Sequence, residues 1–204
     1  MARPALQTGL VDTELDALPP QLRWREWMNR VEAVIFASPE PVSRDVLARL
    51  VGRQCSIELL IEDISVELAA RPYEIVAVAG GWQFRTRPRL GDVLRAAFGG
   101  ATTALEITQS DMLVLATIAY HQPVTRGQLS DMLGHEVSRE AIGHLRRNDL
   151  IASGPRAPQP GAPYTYVTTK TFLERFGLDT LRDLPDLEAL EDAGLARLAG
   201  EGAS

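Results

Sequence analysis

The chain reads as an α+β, mostly helical protein made of two copies of one small module. Three observations predict this. A phrase is written twice: EPVSRDVLARLVG opens at Glu40 and QPVTRGQLSDMLG at Gln122. Each copy follows an apolar run of helical character, Val31 to Ala37 in one case and Leu113 to Tyr120 in the other. Each copy is followed by a further helical segment and then by two short β-rich runs. Helix, helix–turn–helix and a two-stranded hairpin make a winged-helix domain. The expected organisation is a disordered leader over 1–22, a first winged helix over 23–88, a connecting helix and linker over 89–106, a second winged helix over 107–178, and an acidic tail over 179–204.

In the first module, Trp24, Trp27, Val31, Val34 and Ile35 recur at helical spacing, and Ser38 before Pro39 and Pro41 should end that helix. Ser43 is suited to cap the second helix. Val42 and Leu47 are spaced as a hydrophobic staple around it, and Gly52 is placed to close it. Ile57, Leu60, Ile61, Ile64 and Leu68 form the apolar stripe of a third helix. YEIVAV and WQFRT flank Gly80-Gly81, a pair able to supply the positive φ angles of a tight hairpin. RLGDVLRAAFGG, with Leu90, Val93, Leu94 and Phe98, reads as a connecting helix.

The second module restates this order. Leu105 and Ile107 suggest a short strand, and Thr108 or Ser110 caps the next helix. Thr125 takes the place of Ser43, Val124 and Leu129 repeat the staple, and Gly134 repeats Gly52. Ser138 opens a third helix, REAIGHLRRND, with little apolar content. LIAS and YTYVTT form a hairpin across the loop GPRAPQPGAP, and Thr169 starts a last helix carrying Phe172 and Phe176.

Composition narrows the function. Hydrophobic residues make up 45% and charged residues 24%, ordinary values for a globular chain. No run is long enough to span a membrane, and MARPALQTGLVDTELDALPP lacks the apolar core of a signal peptide. One cysteine, Cys55, excludes an internal disulfide and suits a cytoplasmic protein. With His121, His135 and His144 scattered, no metal site or cofactor is expected. No phosphate-cradling loop or nucleophile elbow is present, so no catalytic residue is expected.

The net charge of −6 lies mostly in the ends: residues 179–204 hold seven acids against two arginines, whereas 107–178 hold seven basic residues against six acids. A DNA reader needs basic or amide side chains on its third helix. The first module offers Glu58, Glu62, Asp63 and Glu67 there, which repel phosphate. The second offers Arg139, His144, Arg146, Arg147 and Asn148, so Arg139, Arg146 and Arg147 are its candidate DNA contacts. Protein binding fits the remainder better. Tyr164 and Tyr166 of the second wing and Leu145 of the third helix are candidate partner contacts. Trp24 and Trp27 are either core residues or dimer contacts.

Four stretches resemble the bacterial segregation and condensation protein B family: VEAVIFASPEPVS, VAGGWQFRTRP, LATIAYHQPVTRGQL and PGAPYTYVTTKTFLERFGL with the following LRDLP. Together they reach from about residue 27 to residue 187. The resemblance implies a non-enzymatic, nucleoid-associated subunit of a bacterial SMC condensin complex. It implies homodimers formed through the first module that bind the kleisin subunit, mostly through the second modules, and through it the SMC ATPase, with DNA contacted indirectly or weakly. The alternative that the fold leaves open is a winged-helix transcription regulator.

Overall fold

The computed structural model describes residues 11–98, 107–156 and 163–186. The chain divides into two compact units, Met1–Gly99 and Gly100–Ser204. Each is a winged helix, three helices and a three-stranded antiparallel sheet, followed by one further α-helix.

In unit 1, α1 runs from Pro20 to Ala37 and buries Met28, Val31 and Ile35. Its proline at the first position needs no backbone donor there. The leader expected over 1–22 is therefore too long, because residues 11–19 pack onto the unit. Leu15 is buried. The Trp27 indole N–H donates to Thr13 O at 2.8 Å, and the Arg30 guanidinium donates to Asp12 O at 2.6 Å. Only Val11, Leu15 and Leu18 are large and apolar in this stretch, too few to mark it as part of a core.

The repeated phrase folds the same way twice. Val42–Ser43 is β1, and its residues pair with Trp82 and Gly81 of β3 (Gly81–Thr86). A single turn of helix, α2 (Arg44–Leu47), follows, with Leu47 fully buried. Ser43 occupies the N-cap position, but its side chain makes no capping hydrogen bond. Gly52 does not close α2, which ends five residues earlier. It is required for space: a Cβ there would sit 2.7 Å from Trp27 Cζ2 and 2.9 Å from Glu14 Oε2. The third helix, α3 (Ile57–Glu67), is capped by Ser56 Oγ, which accepts from Leu59 N. β2 (Tyr73–Val78) and β3 then form the wing, ordered β1-β3-β2. The turn between them uses positive φ at Ala79 and Gly80. Gly81 has a different duty from the one its place in a Gly-Gly pair suggests: a Cβ on it would lie 2.7 Å from Val42 O, so only glycine lets β1 approach β3. After a turn of 3-10 helix at Pro88–Leu90, α4 (Gly91–Phe98) carries exposed Val93, Leu94 and Phe98.

In unit 2, α5 (Gln109–His121) begins with a capping box between Thr108 and Asp111. Ile107 is not in a strand but packs on the core; Leu105 lies outside the described residues. The strand of this unit lies instead in the repeated phrase. Val124–Thr125 is β4, paired with Tyr166 and Thr165 of β6 (Tyr164–Thr168). Thr125 and Gln128 make a second capping box at α6 (Arg126–Leu133), and Gly134 closes it at φ 71°. Ser138 caps α7 (Arg139–Arg147). β5 (Ile151–Arg156) runs through Gly154 and Pro155, residues that read as loop. β5 is an edge strand, and its pairing slips between Ser153 and Arg156, a setting that tolerates proline. Thr169 caps α8 (Lys170–Phe176), which buries Phe172.

The two cores use matching positions. Val31, Ile35, Val42 and Leu47 are buried in unit 1, and Val114, Ile118, Val124 and Leu129 in unit 2. No described helix is long and apolar enough to cross a membrane.

Candidate interaction surfaces

The outer face of α3 carries Glu58, Glu62, Asp63 and Glu67, and three of these are held by donors of the same unit. Arg44 Nε donates to Glu58 Oε1 at 2.7 Å, the Trp24 indole N–H donates to Asp63 Oδ2 at 2.8 Å, and Arg25 binds Glu67. The hydrogen bond from Arg44, helped by Glu58's own amide and the Ser56 hydroxyl, holds the Glu58 carboxyl down to about 2. The helix that would enter a DNA groove in this unit is thus a row of carboxylates.

Trp24 and Trp27 meet edge to face at 6.3 Å between ring centroids, and both pack on the core of unit 1. Their indole N–H groups are satisfied within the unit, by Asp63 and Thr13. Trp24 also lines a shallow groove between α1 and α3 with Met28 and Arg25. The most exposed aromatic residue of the unit is one the sequence reading missed: Phe36, on the last turn of α1, is 79% exposed. Its ring lies 6.1 Å from Phe84, which lies 5.6 Å from Tyr73. These three rings form a row from α1 to the wing. Residues 48 positions apart share it, so no local pattern reveals it.

In unit 2 the candidate residues separate. Leu145 is fully buried, at 0% exposure, and is core and not a partner contact: α7 turns it inward with Ile142. Tyr166 is partly buried and packs on that core. Tyr164 is 53% exposed, with the Arg156 guanidinium 4.4 Å from its ring centroid. Met132 and Phe176 are further exposed apolar side chains of this unit.

Arg139, Arg146 and Arg147 are exposed on α7. His144 and Asn148 are not available to a ligand in the same way. His144 Nδ1 lies 2.9 Å from Asp111 Oδ2, and the Asn148 side-chain amide donates to His144 O. Burial would push the Asp111 carboxyl up, but hydrogen bonds from His144 and Thr108 outweigh it and hold the group below the usual carboxylate range. Cys55 is half-buried against the unit 1 core, and burial pushes its thiol up to about 11. Among the described residues no three His, Cys, Asp or Glu side chains gather where they could hold a metal ion.

Comparison with known proteins adds to this geometry. The family model described as Segregation and condensation complex subunit ScpB matches residues 29–187. A segregation and condensation protein B homolog of Coxiella burnetii is 31% identical over 167 residues, covering 79% of this chain and 79% of that protein. A segregation and condensation protein B of Desulforamulus reducens is 36% identical over 164 residues, covering 78% of this chain and 88% of that protein. The crystal structure of ScpB from Mycobacterium tuberculosis is 29% identical, with a TM-score of 0.34, and the match covers 76% of this chain and 97% of that one.

Proposed function

The chain belongs to the segregation and condensation protein B family, and from that premise we propose that it is a non-enzymatic accessory subunit of a bacterial SMC condensin complex. It binds the kleisin subunit as a homodimer, reaches the SMC ATPase through it, and works at the nucleoid in chromosome condensation and segregation. The observation that carries this reading is the extent of the family match, which spans both winged helices from within α1 to beyond α8.

The surfaces support a division of labour. Unit 1 forms the dimer through the row Phe36, Phe84 and Tyr73, with Trp24 at the groove beside α1 and α3. Exposed aromatic rings in contact with one another bury a large apolar area when a partner covers them. Trp27 lies behind, with its indole tied to Thr13. Unit 2 takes the kleisin through the wing, with Tyr164 as anchor and the partly buried Tyr166 two residues along the same strand. Such an anchor fits a helix of the partner laid against exposed apolar side chains. The protein contributes shape and not chemistry: two copies bound to one kleisin stiffen it.

The full chain mixed with a purified kleisin fragment should elute as one complex on a sizing column and bind in calorimetry. The Phe36→Asp variant should elute as a monomer with its melting temperature little changed. No binding to the kleisin at tens of micromolar would overturn the reading.

A further inference from the structure

Gly143 stands in the middle of α7, and nothing within its unit calls for it. Glycine is the least favourable residue after proline inside a helix. The other described glycines have local reasons. Gly52, Gly81 and Gly154 stand where a Cβ would collide, and Gly80, Gly134 and Gly177 have left-handed φ. Gly91 and Gly127 lie in first turns, where helix propensity matters least. At Gly143 a Cβ would meet only the far end of Arg147, at 3.4 Å, an ordinary contact with a side chain that can move.

Three of its four neighbours on the helix face are basic, and the fourth, exposed Glu140 at i−3, is acidic, which leaves the face net positive. Arg139, Arg146 and Arg147 lie at i−4, i+3 and i+4 from Gly143, so all three share its face. All are exposed, and none has a carboxylate within ion-pairing reach among the described residues. Helix electrostatics accounts for Arg146 and Arg147, which lie in the last turn. It works against Arg139 at the first position, where a cation meets the positive end of the dipole. The arginine face therefore has a cost to the isolated helix at Arg139 and a second cost at Gly143.

The chemistry of the missing partner follows. This face offers no large exposed apolar side chain, so a partner helix would find no anchor on it. His144 and Asn148, which could have read base edges, are engaged internally. We infer that this face of α7 binds the phosphodiester backbone of duplex nucleic acid, without sequence preference. Gly143 lets the strand lie against the helix backbone, and the three arginines neutralise phosphates. Its residues are other than Tyr164 and the aromatic row of unit 1, and the inference does not rest on the kleisin reading.

Fluorescence anisotropy of the full chain with a labelled random-sequence 24-base-pair duplex tests it. Three neutralised phosphates give a slope of log K against log salt of about −2.7 per bound protomer, so affinity should fall about forty-fold between 50 and 200 mM salt. Arg146→Ala and Arg147→Ala should each lower the slope by about one. Gly143→Ala should raise the melting temperature and yet weaken duplex binding several-fold, opposite signs that a purely structural glycine cannot give. The inference is overturned by no duplex binding at 50 mM salt, by unchanged binding in the Arg146→Ala/Arg147→Ala double variant, by unchanged binding in Gly143→Ala, or by preference for a poly-glutamate peptide over the duplex.

Discussion

His144 Nδ1 sits 2.9 Å from Asp111 Oδ2 and ties α7 to the first turn of α5 across 33 residues of sequence. The same carboxylate closes the Thr108 capping box, so one buried aspartate fixes both a helix start and a helix-to-helix contact. Asp111→Ala leaves the Thr108 hydroxyl capping the backbone N–H at 111, but it removes the acceptor of Thr108 N and leaves the His144 ring without its partner. The expected loss is about 1–3 kcal/mol, from partly buried donors left unmatched. Urea unfolding measures it, and a loss below about 0.5 kcal/mol would refute the assigned role.

The pH dependence of that loss has a defined sign. Asp111 has a carboxyl held below its ordinary value in the folded state. Its contribution is complete above about pH 4, the ordinary aspartate range, and disappears as pH falls through the depressed value. The stability difference between the parent chain and Asp111→Ala should therefore be flat from pH 7 to about 5 and shrink at lower pH. A difference that grew on acidification would contradict the pairing.

Gly52 tests the docking of residues 11–19. Gly52→Ala places a methyl group against Trp27 and Glu14, where 2.7 and 2.9 Å leave no room. Overpacking of this kind costs about 1–3 kcal/mol. The Trp27 indole should also release Thr13, which limited proteolysis would report as new cleavage within 11–19 and fluorescence as a shift in tryptophan emission.

Leu145 and Tyr164 separate core from surface in unit 2. Leu145→Ala should cost about 2–5 kcal/mol, because the side chain is wholly buried. Tyr164→Ala should cost no more than about 1 kcal/mol, the worth of an exposed cation–π pair, and should weaken kleisin binding at least tenfold. Thermal melts and calorimetry on the two variants decide both halves.

Cys55 should be a slow nucleophile. Burial, followed by the neighbouring Glu58, pushes its thiol up to about 11. At pH 8 its thiolate is scarce, and the greater nucleophilicity of a more basic thiolate recovers only part of the rate. Alkylation by iodoacetamide should run roughly twentyfold slower than at an ordinary exposed cysteine. Its rate should still be rising at pH 10; a plateau near pH 9 would show a normal thiol.

The sequence determined the module and its duplication. Helix stripes such as Ile57-Leu60-Ile61-Ile64 and caps such as Ser138 and Thr169 act within one or two turns, so they are legible locally. Strands β1 and β4 were not legible, because two residues carry no alternation. They exist only because β3 and β6 lie beside them. Tertiary structure also decided what each singled-out residue is for. It put Leu145 in the core, engaged His144 with Asp111, tied Trp27 to Thr13, and assembled Phe36, Phe84 and Tyr73 into one row. Periodicity tells which side of a helix is apolar. What meets that side, and which polar atoms remain free, depends on chain segments tens of residues away.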